Sequence, residues 1–123
     1  MKSAKPCSCT MVDGVKARVL NMHTIKPIDR EAIMEAVHDT RRIITVEDHT
    51  VIGGLGGAVA EVIAEGGMAC AFRRLGLQDA FSPIGLHEDL MSHHKIDANG
   101  IIETVRELLQ LDFEEDDDWT DEV

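Results

Sequence analysis

Apolar positions along this chain change their spacing several times, and each change marks an element. From Lys16 to Met22 the pattern alternates: Ala17, Val19 and Asn21 fall on one side, Arg18, Leu20 and Met22 on the other. That is the period of a strand. A loop over residues 24–28 is closed by Pro27. Asp29 then offers a short carboxylate to the free amides of a first helical turn, and Glu31 suits the positive end of that helix. Ala32, Ile33, Ala36 and Val37 share one face, which predicts a helix to about Asp39. Ile43-Ile44-Thr45-Val46 is a β-branched run of the kind a parallel sheet buries on both faces. A second helix is expected from Gly53 or Gly54 to Glu65, with Leu55, Val59, Val62 and Ile63 inward and Gly66-Gly67 as its stop. Met68 to Phe72 is a third strand, and a polar loop from Arg73 to Gly85 follows. A short helix lies within Leu86 to His94. Asp97 caps a last helix whose Ile101, Ile102, Val105, Leu108 and Leu109 align. Residues 1–15 carry no period and read as irregular, broken by Ser3, Pro6, Ser8, Asp13 and Gly14.

The order β-α-β-α-β-(α)-α predicts one α/β domain with parallel strands and crossover helices. Three strands make a thin sheet, so the N-terminal segment or another chain is expected to complete it. At 123 residues and 44% hydrophobic the chain can bury a core. With 3% aromatic content that core must come from Ile, Val, Leu, Ala and Met. No apolar run is long enough for a membrane span, and no apolar stretch follows Lys2 and Lys5, so the expectation is a soluble cytoplasmic protein with no membrane contact.

A net charge of −11 argues against nucleic acid or an anionic membrane as partner. Eight of the acidic groups lie between Asp112 and Val123, and removing them leaves −3. Residues 112–123 therefore read as a solvated, disordered tail, with docking to a basic partner through Phe113 and Trp119 as the alternative.

The glycines from Gly53 to Gly57 invite a nucleotide-binding reading, which fails position by position. Starting the dinucleotide fingerprint at Gly54 puts Val59 where the third small residue belongs. The approach from Val46 is too long for a tight turn, Arg73 and Arg74 stand where a ribose-binding acid is needed, and no Walker lysine occurs. Gly53, Gly54, Gly56 and Gly57 are better read as a helix start packed closely on neighbouring backbone, or as an anion site built from free amides. Glu47 and His49 follow the second strand at the end where α/β proteins place their crevices. A general-base pair is one reading; residues so close in sequence more often point apart, and an interface role is preferred. Arg73 and Arg74 read as a surface pair or as partners of Asp79. His87, His93 and His94 read as surface residues. Cys70 reads as a buried small hydrophobe, and Cys7-Ser8-Cys9 has no histidine at zinc spacing, so no metal is expected. No catalytic residue emerges.

Two long segments bear a resemblance. Lys16-Ala17-Arg18-Val19-Leu20-Asn21-Met22-His23-Thr24-Ile25-Lys26-Pro27-Ile28-Asp29 resembles the C-terminal domain of the transketolase family. So does Thr45-Val46-Glu47-Asp48-His49 followed by Gly53-Gly54-Leu55-Gly56-Gly57-Ala58-Val59-Ala60-Glu61, and Arg74 to Phe81 is similar to a further family segment. The likeness spans Val15 to Leu109. Deoxyxylulose-phosphate synthases and 2-oxo-acid dehydrogenase β subunits share the domain, but the wording from Asn21 to Asp29 looks more like transketolase.

The resemblance implies a three-layer α/β/α fold with a mainly parallel sheet over residues 16–111, lacking the family's usual first strand and helix. It implies the C-terminal section of a thiamine-diphosphate enzyme that transfers ketol groups between sugar phosphates. Thiamine diphosphate and magnesium are then expected on partner domains and not on this chain. The implied partner is a thiamine-binding N-terminal section or a homologous chain, in an oligomer. The acidic tail departs from the family pattern. A non-enzymatic binding or regulatory module with an anion site at the glycine-rich helix start is the alternative, and a truncated fragment unable to hold its fold is a third reading.

Overall fold

The computed structural model describes the backbone of residues 4–12 and 14–111 and the side chains of 14–111. The acidic tail, Phe113 and Trp119, and the side chains of Cys7 and Cys9 lie outside the described residues. The elements are β1 (Ala4–Val12), β2 (Val15–Met22), α1 (Arg30–Thr40), β3 (Arg42–Thr50), α2 (Leu55–Gly66), β4 (Ala71–Leu77), α3 (His87–His93) and α4 (Ala98–Leu109).

The first correction falls within residues 1–15. Ala4–Val12 is not irregular: as β1 it pairs antiparallel with β2, from Ala4 opposite Met22 to Val12 opposite Val15. Between Cys7 and Thr10 the register shifts by one residue, a β-bulge. The dipeptide Asp13-Gly14 lies between the strands in the sequence, and Gly14 takes φ +79, a left-handed conformation that glycine favours. Cys7, Cys9 and Met11 do alternate with polar residues ahead of that dipeptide, so the signal existed at short range.

The second correction concerns the partner of β2. It does not extend the parallel pair: the described strands form two two-stranded sheets, β1–β2 and β3–β4. A neighbour two residues away closes at almost no loop entropy, whereas pairing with β3 must close a loop containing a whole helix.

α1 begins where its cap predicts. The Asp29 Oδ1 atom accepts from the Ala32 amide at 3.1 Å. The helix stops at Arg41, which takes φ 56 and donates its amide to the Val37 carbonyl. Thr40 adds a hydroxyl donation to the Ala36 carbonyl at 2.8 Å. β3, α2 and β4 make a parallel βαβ unit, with Arg42 opposite Ala71 and Val46 opposite Leu75. α2 ends at Gly67, φ +68, as the glycine pair predicts. β4 starts three residues later than expected and carries Arg73 and Arg74 within the strand, not in a loop. Both arginines are exposed, which an edge strand with one neighbour tolerates.

The core sits between α1, α2 and the parallel pair. Ile33, Val37, Val59 and Val62 are its buried centre, and Met22, Ile28, Met34, Ile43, Leu55, Ile63, Met68, Cys70 and Phe72 close around it. Burial pushes the Cys70 thiol above its ordinary pKa, in keeping with a packing role. α4 is capped as predicted, Asp97 Oδ1 accepting from the Gly100 amide at 2.9 Å. It buries Gly100, Thr104 and Leu108, while Leu109 remains 43% exposed, so its inner face is turned slightly from the predicted one.

β2 is tied to α1 by an ion pair, Arg18 Nη2 to Asp39 Oδ2 at 2.8 Å. Hydrogen bonds from His38 and then from Arg18 hold the Asp39 carboxyl below its usual range. A depressed pKa contributes stability that is present above the unfolded value, roughly pH 4, and is lost as pH falls through the folded value. Asp39→Asn is therefore expected to lower Tm slightly at pH 7, and the gap from the parent should close near pH 2. A constant gap across that range would show that the charge plays no part.

Candidate functional site

β3 ends in a period-two array. Thr45 and Glu47 are buried, Val46 and Asp48 point outward, and His49 continues the inner face as the strand reaches solvent. Residues two apart on a strand share a face. Glu47 and His49 are thereby brought together: His49 Nε2 lies 2.8 Å from Glu47 Oε1, with the imidazole half exposed and the carboxylate side chain 4% exposed.

The Glu47 carboxylate has a second set of partners. Its Oε1 accepts from the Leu55 amide at 3.0 Å and its Oε2 from the Gly56 amide at 2.7 Å. These are first-turn amides of α2, which have no partner inside the helix. Gly54, the N-cap, has no side chain with which to cap it. A carboxylate from the neighbouring strand does so instead and places its negative charge at the positive end of the helix. The anion at this helix start is thus the chain's own. Amides that an external anion would have used are already engaged, which weakens the binding-module alternative.

The glycines have separate reasons. Gly53 takes φ +73, a turn conformation that L side chains rarely adopt. A Cβ on Gly54 would fall on the Glu47 carboxylate and the His49 ring. One on Gly56 would lie 2.7–2.9 Å from Arg74 Cδ and Cγ and Thr45 Oγ1. One on Gly57 would meet open space, so close packing does not explain that residue. Arg74 lays its stem over Gly56 and donates from Nη1 to the Val51 carbonyl at 3.2 Å. That contact, rather than one with Asp79, is its structural role. The Thr45 hydroxyl is buried beside Gly56 without a hydrogen-bond partner.

Beyond β4, His87 and His93 are exposed on α3, as expected of surface residues. His94 is half-buried, with Nε2 2.8 Å from the Ser82 hydroxyl, a contact that sequence reasoning missed. Asp48, Leu77, Ser82, His87, Leu90 and His94 line much of a shallow pocket of about 120 Å³ at the carboxyl ends of β3 and β4. Among the described residues no group of three or more His, Cys, Asp or Glu side chains is placed to hold a metal ion. With the α2 amides engaged as well, the described residues do not fit a magnesium diphosphate. Nor is any helix among the described residues long and apolar enough to cross a membrane.

Comparison with known proteins agrees with the geometry. The family model described as "Transketolase, C-terminal domain" matches residues 8–101, beginning inside β1. A putative transketolase C-terminal section from Methanocaldococcus jannaschii is 41% identical over 95 residues, which cover 77% of this chain and 29% of the relative. A subunit of the apulose-4-phosphate transketolase of Actinobacillus succinogenes is 38% identical over 91 residues, 73% of this chain and 29% of that one. The 1-deoxy-D-xylulose-5-phosphate synthase of Heliobacterium modesticaldum is 35% identical over 100 residues, 81% and 16%. A solved structure described as a split gene transketolase, inactive beta4 tetramer, superposes with a TM-score of 0.73 at 36% identity, covering 80% of this chain and 32% of that one. The chain spans less than a third of the length of each of these relatives. With parallel strands, an α/β fold and a match over most of its length, the chain belongs to the transketolase C-terminal domain family.

Proposed function

We propose that this chain serves as the C-terminal section of a thiamine-diphosphate-dependent, transketolase-type enzyme acting on sugar phosphates, and that it works only in assembly with chains carrying the cofactor-binding sections. The observation that carries this reading is its similarity to chains named as separate parts of transketolases, one as a C-terminal section and another as a subunit. The chemistry of the residues supports it. Glu47, the buried carboxylate at the end of β3, is committed to capping α2. Glu47, His49 and the segment from Gly53 to Gly57 then shape a rigid edge of an assembly surface and take no part in bond making.

Mixing the purified chain with a transketolase N-terminal section that carries the cofactor domains, in the presence of thiamine diphosphate and Mg²⁺, tests this. The expected result is ketol transfer by the mixture and none by either chain alone. A chain that neither binds the section nor gains activity on mixing would defeat the proposal.

A further inference from the structure

The Glu47–His49 pair carries more than a helix cap. His49 Nε2 lies 2.8 Å from Glu47 Oε1, and the buried carboxylate is held from its other side by the Leu55 and Gly56 amides. Both of its oxygens work as acceptors, so it offers the ring lone pairs and no proton. The ring nitrogen that faces it must therefore be the donor. Glu47 is anchored by two backbone amides and cannot follow the ring into a second arrangement.

A neutral imidazole carries one N–H, and the bond made by one nitrogen fixes the state of the other. With the hydrogen on Nε2, Nδ1 keeps a bare lone pair. Nδ1 has no partner among the described residues, and Glu47 is the only one of them whose side chain is hydrogen-bonded to His49. The ring is also seated: a Cβ on Gly54 would run into His49 Cε1 and Nε2, so that edge packs on the start of α2. The first turn of α2 brings no charged side chain to it. β4 approaches with Gly76, which faces the His49 carbonyl and the Glu47 stem, and Arg74 is turned to the Val51 carbonyl.

We infer that Glu47 locks His49 as its Nε2–H tautomer and so makes Nδ1 a recognition point for a neutral hydrogen-bond donor, a hydroxyl or an N–H. A carboxylate or a fully ionised phosphate brings no hydrogen and would meet only a lone pair beside a buried negative charge. The pair thus selects against the anion that a glycine-rich helix start would otherwise take. Glu47 is a positioning residue, acting through His49. That the donor belongs to the assembled enzyme, on the partner section or on a sugar, rests on the functional reading above; the tautomer does not.

Long-range ¹H–¹⁵N spectra of the full-length chain, at a pH where the imidazole is neutral, read the tautomer directly. The expected pattern at His49 is a protonated Nε2 and a bare Nδ1, with the exposed His87 as the reference for an unconstrained ring. Glu47→Gln, whose amide can give or take a hydrogen, should show both tautomers. A parent spectrum that is mixed or protonated at Nδ1, or a Glu47→Gln spectrum identical to the parent's, overturns the lock.

Two variants test recognition. In His49→Gln the amide NH₂ replaces Nε2–H and leaves no acceptor at the Nδ1 position; in His49→Asn the amide oxygen takes the place of Nδ1. Each is mixed with a thiamine-diphosphate-loaded transketolase N-terminal section and assayed with a sugar phosphate. His49→Gln should lose about 5- to 10-fold, the scale of one hydrogen bond, and His49→Asn should lose less. A rise in Kd for the section places the donor on the section, and a rise in KM at unchanged Kd places it on the sugar. If neither rises where the parent is active, the recognition role is overturned and the functional reading stands. A parent that neither binds nor gains activity overturns both, while the tautomer is still decided on the chain alone.

Discussion

Replacing Glu47 with alanine is expected to destabilise the domain by about 2–3 kcal/mol, the range of a buried charged hydrogen-bond acceptor with more than one donor. The loss has two parts. The amides of Leu55 and Gly56 lose their acceptor at a buried helix start, and His49 loses the carboxylate 2.8 Å from its Nε2. Glu47→Gln keeps one acceptor oxygen but turns an NH₂ donor toward an amide donor, so it should recover about half of the loss. Gly54→Ala pushes a methyl into the same carboxylate from the other side. It should therefore resemble Glu47→Ala, and the double variant should be much less destabilised than the two single losses added together. Urea unfolding of the four proteins checks this. Full additivity would mean that the carboxylate does not hold the α2 start.

Gly100→Ala is expected to cost about 2–3 kcal/mol through overpacking, for a different reason. At Gly54 the obstacle is flexible side chain, whereas at Gly100 it is backbone. A methyl there would run into the Lys95 carbonyl group and Cα, and Lys95 is itself held at φ 58. To admit it, α4 must slide along β4, pulling Leu108, which is 2% exposed, out of its site and loosening Ile96. Gly57→Ala is the control. It sits in α2 with open space around it, and helix propensity alone should make it stabilising by about 0.5–1 kcal/mol. If Gly57→Ala also leaves binding of a cofactor-bearing section unchanged, Gly57 has no part in the interface. A fall in the denaturation midpoint of Gly100→Ala with unchanged slope is the expected signature, and an unchanged midpoint would show that the α3–α4 turn can give way.

The elements that local chemistry controls were legible in the sequence. Asp29 and Asp97 cap the helices they were expected to cap, and Gly67 stops α2. Ile33, Ala36, Val37, Val59 and Val62 are buried as their spacing predicts. Two long motifs carried the family, because a run of residues in order is a far narrower signal than any one spacing. Local pattern does not give β1, where Asp13-Gly14 reads as punctuation, or the span of β4, where two arginines read as loop. Both follow from judging strands by burial: an edge or hairpin strand can keep polar residues and still be a strand.

The role of the Glu47 stretch belongs to the tertiary structure. Sequence put a carboxylate, a histidine and four glycines within eleven residues, and that collection is equally compatible with an anion site, a general base and a packed helix start. Only the fold decides, since the answer depends on whether the β3 pleat aims Glu47 at the α2 amides or away from them. It aims Glu47 inward, and the helix is capped from within. By the same logic, the chain's composition could state that Phe81, Ile84 and Leu86 are apolar, but not that all three face solvent. The helices, the core and the family could be read from residue order alone, because caps and periodicity act over a few residues. Strand pairing, the Glu47 cap and the exposed apolar loop could not, because each depends on which distant backbone a side chain meets.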